Sequence, residues 1–401
     1  MKVLFVTDVG DGSGIGGHIY SFQALIRSLL PHIQCVAVTF GSARCPALEP
    51  VDCRQYQIPF GIHRLRVREL SRFMDIVRTE KPDVIHAFDP KTGAFARWSA
   101  LRVGCGLLET KCGGPNPQGR FPHSYFPCVP QLVVYSEENE RYFRCQRAYR
   151  RMQIRNIPNR IHEFLPDAGK IAALRARVDP RHPVILRVGR ISRSYQRTAE
   201  KSIRLVRRLV SDGIPAQLVF LGVVHEKAAE QDLRVALKGC GTVVSDPELV
   251  KQASSVLDAG DLVVGTGRGL MEAAARGRIL LVPARTGQLP TLVDETNWES
   301  LFSANFSERS EVAPWDEEAN YRAIQQVLRD PEYRQRLSAF SLRLFKDRFS
   351  LETVLDQYLA LYEEARLRGC CLTTDMAKHW LWMLVRTRRR PYASDESHVK
   401  K

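Results

Sequence analysis

The chain has 401 residues, 44% apolar and 26% charged, with a formal net charge of +15 and an isoelectric point near 9.5. That length gives room for two domains with separate cores, and the composition excludes a disordered or fibrous chain. No stretch of about 18 uncharged apolar residues occurs, so no membrane-spanning helix is expected. The opening MKVLFVTD reads directly as a strand, without the basic head, long apolar centre and small-residue cleavage site of a secretory leader. Ten cysteines without CxxC pairs or histidines at zinc spacing are expected as reduced thiols of a cytoplasmic protein that hold no metal. The positive charge predicts an acidic partner without choosing among nucleotide, lipid head group, phosphorylated acceptor and nucleic acid.

In chain order, KVLFVT (Lys2 to Thr7) is a strand and the glycine-rich DVGDGSGIGG a loop. Ile19, Phe22, Leu25, Ile26 and Leu29 follow at helical spacing, closed by Pro31. Short apolar runs then recur at Cys35 to Phe40, Asp83 to Phe88, Leu107 to Lys111 and Leu132 to Ser136. Strands separated by helical segments imply a parallel, doubly wound sheet. A Pro- and charge-rich join around Asp167 to Pro183 precedes a second round of the same grammar: VILRVGR, an amphipathic segment from Thr198 to Ser211, AQLVFLG, TVV, a helix from Pro247 to Ala259, DLVVG and ILLVPA. The expected fold class is α/β, with two Rossmann-like domains facing a cleft and C-terminal helices. The expected divisions are 1–167, 180–345, a returning helix at 346–368 and a basic tail at 369–401.

VVGTGRGLMEAAARG, from Val263 to Gly277, carries the most chemistry. A buried strand stops at a glycine loop that opens a helix. In open parallel sheets ligands bind outside the carboxyl ends of the strands, where free amides and the helix dipole favour anions. Gly265, Gly267 and Gly269 allow close backbone approach, Thr266 offers a hydroxyl and Arg268 a charge. The spacing is not that of a Walker P-loop. Glu272 is either a surface partner of Arg268 or, in this setting, a two-oxygen acceptor for the hydroxyls of a ribose.

The strand–glycine–EAAARG–strand pattern in LMEAAARGRILLVP resembles the donor-nucleotide site of retaining GT-B glycosyltransferases, the class that includes sucrose and glycogen synthases. GIGGH, DVIHAFDP, VVYSEEN, IPNR and RVGRIS fall in the order of that class over most of residues 1 to 365. The resemblance implies that Glu272 holds the ribose and that Arg190 meets the donor diphosphate. It implies that Gly16 and Gly17 approach the diphosphate and acceptor, that His86 is an active-site histidine, and that His18 faces the acceptor. Asn159, in IPNR, is equally a simple cap at the entry to the second domain.

Two positions depart from the class. The first glutamate of its E-x7-E motif falls on Val264 or Gly265, and its usual lysine is Tyr195, so the missing charge would come from Arg193, Arg197 or Lys201. The RIS-x-x-Y and GTGR signatures are closer to a bacterial subgroup. The implied activity is metal-independent, retaining transfer of a sugar from a nucleotide-sugar donor, UDP-linked, to a saccharide or lipid-linked acceptor in cell-envelope or polysaccharide synthesis. It needs no cofactor and no nucleic acid. Alternatives are a nucleotide-sugar 2-epimerase of the same fold, a basic nucleic-acid-binding protein and a catalytically inactive homologue. Finally, MAKHWLWMLVRTRRRP, Met376 to Pro391, joins an apolar block to arginines. It reads either as a helix docked on the N-terminal domain or as an attachment to the anionic inner membrane face.

Overall fold

The computed structural model describes residues 1–10, 16–59, 67–118, 121, 124–251, 253–370 and 375–388. The chain forms two compact units, 1–158 with 354–401 and 159–353, so the crossings fall at Pro158 and Thr353 rather than near 167 and 345.

In the first unit the chain runs β1 (Lys2–Gly10), α1 (Gly17–Leu29), β2 (Gln34–Gly41), β3 (Arg54–Ile58), α2 (Val67–Glu80), β4 (Val84–Ala87), α3 (Pro90–Val103), β5 (Gly106–Lys111), β6 (Gln131–Val134), α4 (Glu137–Cys145) and β7 (Gln153–Asn156). These seven strands form one parallel sheet in the order β3-β2-β1-β4-β5-β6-β7. Strands buried on both faces need continuous apolar runs, and Val3 to Val6 are all fully buried. Helix α3 shows how local chemistry sets the ends. Asp89 caps it by accepting from the Lys91 and Thr92 amides, Pro90 occupies the first turn, and Gly104 closes it in the left-handed region.

The second unit runs α5 (Ala168–Arg175), β8 (Val184–Val188), α6 (Gln196–Ser211), β9 (Gln217–Leu221), α7 (Lys227–Ala236), β10 (Gly241–Val244), α8 (Pro247–Val250), β11 (Leu262–Val264), α9 (Arg268–Ala275), β12 (Ile279–Val282), β13 (Thr291–Leu292), α10 (Trp298–Ser303), α11 (Glu317–Arg329) and α12 (Pro331–Leu344). Its sheet order is β10-β9-β8-β11-β12-β13, parallel except for β13. The helix expected from 247 to 259 is only the short α8 followed by 3-10 turns over Ala253–Ala259.

Helices α13 (Leu355–Arg368) and α14 (Asp375–Arg388) belong to the first unit. Helix α13 lies so close to β5 that a Cβ on Gly106 would stand 2.5 Å from the Ala365 carbonyl oxygen. Helix α14 is held by the buried Arg97, whose Nη1 is 3.0 Å from Asp375, by the Cys128 amide donating to the same carboxylate at 2.7 Å, and by the His379 ring 2.6 Å from the Pro90 carbonyl. Trp382 and Met383 are buried, and Trp380 meets Phe95 edge-on. This is the docked reading of the apolar block: the side chains that a bilayer would need are engaged within the first unit, and Leu381 is the half-exposed exception. The end of the basic tail, from Arg389, lies outside the described residues. Among the described residues no helix is long and apolar enough to cross a membrane.

Candidate functional site

In each sheet the strand order reverses direction between two neighbouring strands, and the loops leaving those strands diverge to open a crevice. In the second unit these strands are β8 and β11, paired with Arg187 opposite Val264. The loop after β8 carries Gly189 and Arg190; the loop after β11 carries Gly265, Thr266 and Gly267. The fold therefore brings together two segments that the sequence separates by more than 70 residues.

The β8 loop is fixed by backbone contacts. Ile191 donates to Val223 and accepts from His225 and Glu226, and a Cβ on Gly222 would overlap the Gly189 carbonyl. Gly267 has φ +51° and ψ −128°, a conformation open to glycine, and it starts α9 without any side-chain cap. Above Gly269 a Cβ would meet nothing within 4 Å, so the helix start is open to a ligand. Such a start favours an anion.

Arg190, Arg193 and Arg197 are exposed and make no salt bridge among the described residues. Lys201 cannot stand in for the lysine of the class that the sequence resembles: it is buried and donates to the Ala284, Thr286 and Gly287 carbonyls. Arg268 and Glu272 pair with each other, Nε to Oε1 at 2.8 Å, and Arg268 also donates to the Arg160 carbonyl at 3.3 Å. Glu272 Oε2 accepts no hydrogen bond from the described residues. Burial raises the Glu272 pKa and Arg268 opposes that shift. A small apolar cavity of about 90 Å³ opens beside Arg190 between α6 and α7, too small for a nucleotide.

The first unit has its own reversal between β1 and β4, and there a pocket of about 640 Å³ opens. Asp8, Phe88, Asp89, Thr110 and Lys111 come from strand ends, His18 from the first turn of α1, and Trp382 from α14. Its charges are matched internally. Lys91 Nζ lies 2.7 Å from Asp8 Oδ2, Asp89 is saturated by the cap of α3 and the Asp8 amide, and Lys111 donates to Gly113, Gly114 and Asn139. Gly16 and Gly17 start α1, also without a side-chain cap, beside the 11–15 stretch that lies outside the described residues.

His86 is a different matter. It has no exposed surface, Nδ1 is 2.9 Å from the Tyr362 hydroxyl and Nε2 is 2.7 Å from Thr110 Oγ1. Burial lowers its pKa to about 3, so the ring is neutral. Both nitrogens are occupied in the core, which leaves no atom to present to a substrate.

Neither a family model nor a curated sequence matches the chain. Solved structures do match along nearly its whole length. HepE of Anabaena in complex with UDP-glucose is 14% identical, covers 91% of this chain and 100% of its own, and superposes with a TM-score of 0.65. Sucrose-phosphate synthase of Thermosynechococcus elongatus gives 17% identity, coverage of 90% and 98%, and a TM-score of 0.60. The fold is GT-B. UDP-GlcNAc 2-epimerase of Neisseria meningitidis, bound to UDP-GlcNAc, is also similar, at 13% identity, 91% and 100% coverage and a TM-score of 0.53.

Within this GT-B chain, sequence reasoning missed three features. Glu109 of β5 is fully buried with neither carboxyl oxygen bonded, and burial, then Asp89, raises its pKa well above the ordinary value. The Arg97–Asp375 pair depends on residues far apart in the chain, and no local signal announces it. Arg187 is a fully buried arginine in β8; its signal is visible afterwards as a lone cation inside the apolar run VILRV.

Proposed function

We propose that the chain transfers a sugar from a UDP-sugar to a saccharide or lipid-linked acceptor, with retention at the anomeric carbon and without a metal. The observation that carries this reading is the crevice at β8 and β11: an uncapped helix start, a glycine loop, the exposed Arg190 and a carboxylate with one unbonded oxygen. In this reading Arg190, the Thr266 hydroxyl and the Thr266 to Gly269 amides receive the diphosphate, while the Gly265 amide stays bonded to the Leu281 carbonyl and Glu272 Oε2 accepts from a ribose hydroxyl. Donors aimed at the departing diphosphate stabilise its developing charge, an effect worth about 3–4 kcal/mol for a key donor. His86 has no catalytic part in it, because its ring is closed off in the core. The pocket of the first unit takes the acceptor. Its internally matched charges and its aromatic side chains Phe88, Tyr125, Phe126 and Trp382 suit the apolar face of a sugar ring, with His18 on its wall.

A lipid-linked acceptor would bring the chain to an anionic membrane face in the cytoplasm, and the basic residues after Val385 would hold it there. The test of the whole reading is calorimetry with UDP, GDP and ADP, followed by incubation with UDP-sugars. UDP binding and release of UDP in the presence of acceptor, unaffected by EDTA, are expected. The epimerase likeness favours a second reading, in which a UDP-sugar alone is converted to its 2-epimer; finding that product by NMR would displace the first.

A further inference from the structure

Arg187 sits where the pattern of a central strand calls for an apolar residue. Its β8 neighbours Val184, Ile185 and Leu186 are fully buried, and β8 is flanked by β9 and β11. Arg187 itself is 1% exposed. Nη1 donates to the Val264 carbonyl at 3.3 Å, Nη2 donates to Thr198 Oγ1 at 3.1 Å, and Nε has no partner. Thr198 Oγ1 in turn donates to the Tyr195 carbonyl at 2.8 Å. No carboxylate forms a salt bridge with it among the described residues. A buried cation bonded only to neutral acceptors is costly to the fold.

Each of its contacts belongs to the donor crevice. Val264 is the residue before Gly265. Thr198 and Tyr195 start α6 at the place where the family lysine is missing. Gly189, the residue before Arg190, runs alongside the guanidinium: a Cβ there would lie 3.6 Å from Nη2. Burial lowers the Arg187 pKa only to about 10, against the opposing effects of Tyr195 and Glu308, so the charge persists at neutral pH.

We propose that Arg187 is a positioning residue for a nucleoside diphosphate, a buried charge whose hydrogen-bond partners are all neutral, which attracts the diphosphate from beneath the crevice and ties the Gly265 loop to the start of α6. The inference rests on the donor reading of this crevice. It accounts for the departure at Tyr195: the cation that the loop lacks is supplied by the strand below. A bound diphosphate would offset the charge of a guanidinium that is otherwise hydrogen-bonded only to neutral acceptors. Opposite charges attract appreciably at the effective dielectric of about 20 that suits such sites, so removing one of them should be read as a clear loss of affinity.

The experiment compares the full-length wild type with Arg187→Met, similar in length and neutral, and Arg187→Lys, which keeps the charge. UDP, uridine and inorganic pyrophosphate are titrated into each, and the melting temperature of each is read without ligand. UDP and pyrophosphate should weaken by about tenfold or more in Arg187→Met, uridine should bind as before, and Arg187→Lys should recover part of the loss. Without ligand, Arg187→Met should melt no lower than wild type. An unchanged ratio of UDP to uridine affinity in Arg187→Met overturns the proposal while leaving the donor reading intact. So does an Arg187→Met protein that unfolds or loses all three ligands alike, since that marks a structural arginine. A wild type that binds neither UDP nor pyrophosphate overturns the donor reading and the proposal together.

Discussion

At the carboxyl ends of β8 and β11, Arg187, Arg190, Arg193 and Arg197 form no salt bridge among the described residues, and Arg268 alone is paired. At the ends of β1 and β4, in the other unit, Asp8 faces Lys91, Lys111 is tied to carbonyls, and burial raises the pKa of the nearby Glu109 towards its neutral form. The two crevices arise from the same strand reversal, yet one holds its positive charge in reserve and the other cancels it. A shared topology thus fixes where a ligand can sit, and the charge bookkeeping of a few side chains fixes what kind.

The comparison can be broken most severely at Asp375. Asp375→Ala removes the only carboxylate bonded to the buried Arg97 among the described residues, and losing one partner of a buried pair costs about 3–5 kcal/mol. The first unit should melt earlier, and tryptophan fluorescence should report Trp380 and Trp382 leaving their sites while UDP affinity holds. On the other side, Glu272→Ala should weaken UDP by about 1.5–3 kcal/mol through loss of a charged acceptor. Calorimetry on the folded variant checks it, and unchanged affinity would return Glu272 to the part of a partner for Arg268.

Glu109 sharpens the contrast through pH. Its pKa is raised in the folded protein, so above about pH 4.5 the native state keeps a proton that the unfolded chain has released. Stability from this group is therefore complete below that pH and is lost as pH rises, by at most about 1.4 kcal/mol per unit. Glu109→Gln carries no such proton. Its melting temperature should gain on wild type between pH 5 and pH 8, and a constant difference would refute a neutral Glu109. The smallest effect is expected from Arg190→Ala. UDP should weaken by about 1 kcal/mol, as for an exposed charged contact, with uridine unaffected. Equal losses for both would point away from the diphosphate.

Much of this was legible in the residues. The alternation of short apolar runs and helical segments is a local signal, and both sheets follow it. The loop at Gly265 and the arginine at position 190 could be named because glycines and charges at strand ends are conspicuous. The strands at Arg54–Ile58 and Gln153–Asn156 were not legible, since polar residues dominate both. The site role of His86 is implied by the resemblance alone, and its place near a strand end fits a buried histidine equally well. Its burial depends on Tyr362, which the fold brings to it from far along the chain and which no neighbouring residue predicts. Lys201 looked available for the same reason: the carbonyls that engage it come from a distant loop.

The return of α13 and α14 to the first unit has a consequence for how the protein is made. The sheet of β1 to β7 emerges from the ribosome before the second unit, but the helix that covers Gly106 and the hydroxyl that bonds His86 are encoded after the whole of that unit. At roughly 5–20 residues per second, that gap is on the order of tens of seconds. Throughout it, the part of β4 and β5 that α13 covers lies bare to chaperones and to neighbouring chains, while α1 already packs Phe22 against Phe5 and Phe88 beside it. The unit that starts before the other is completed only after it.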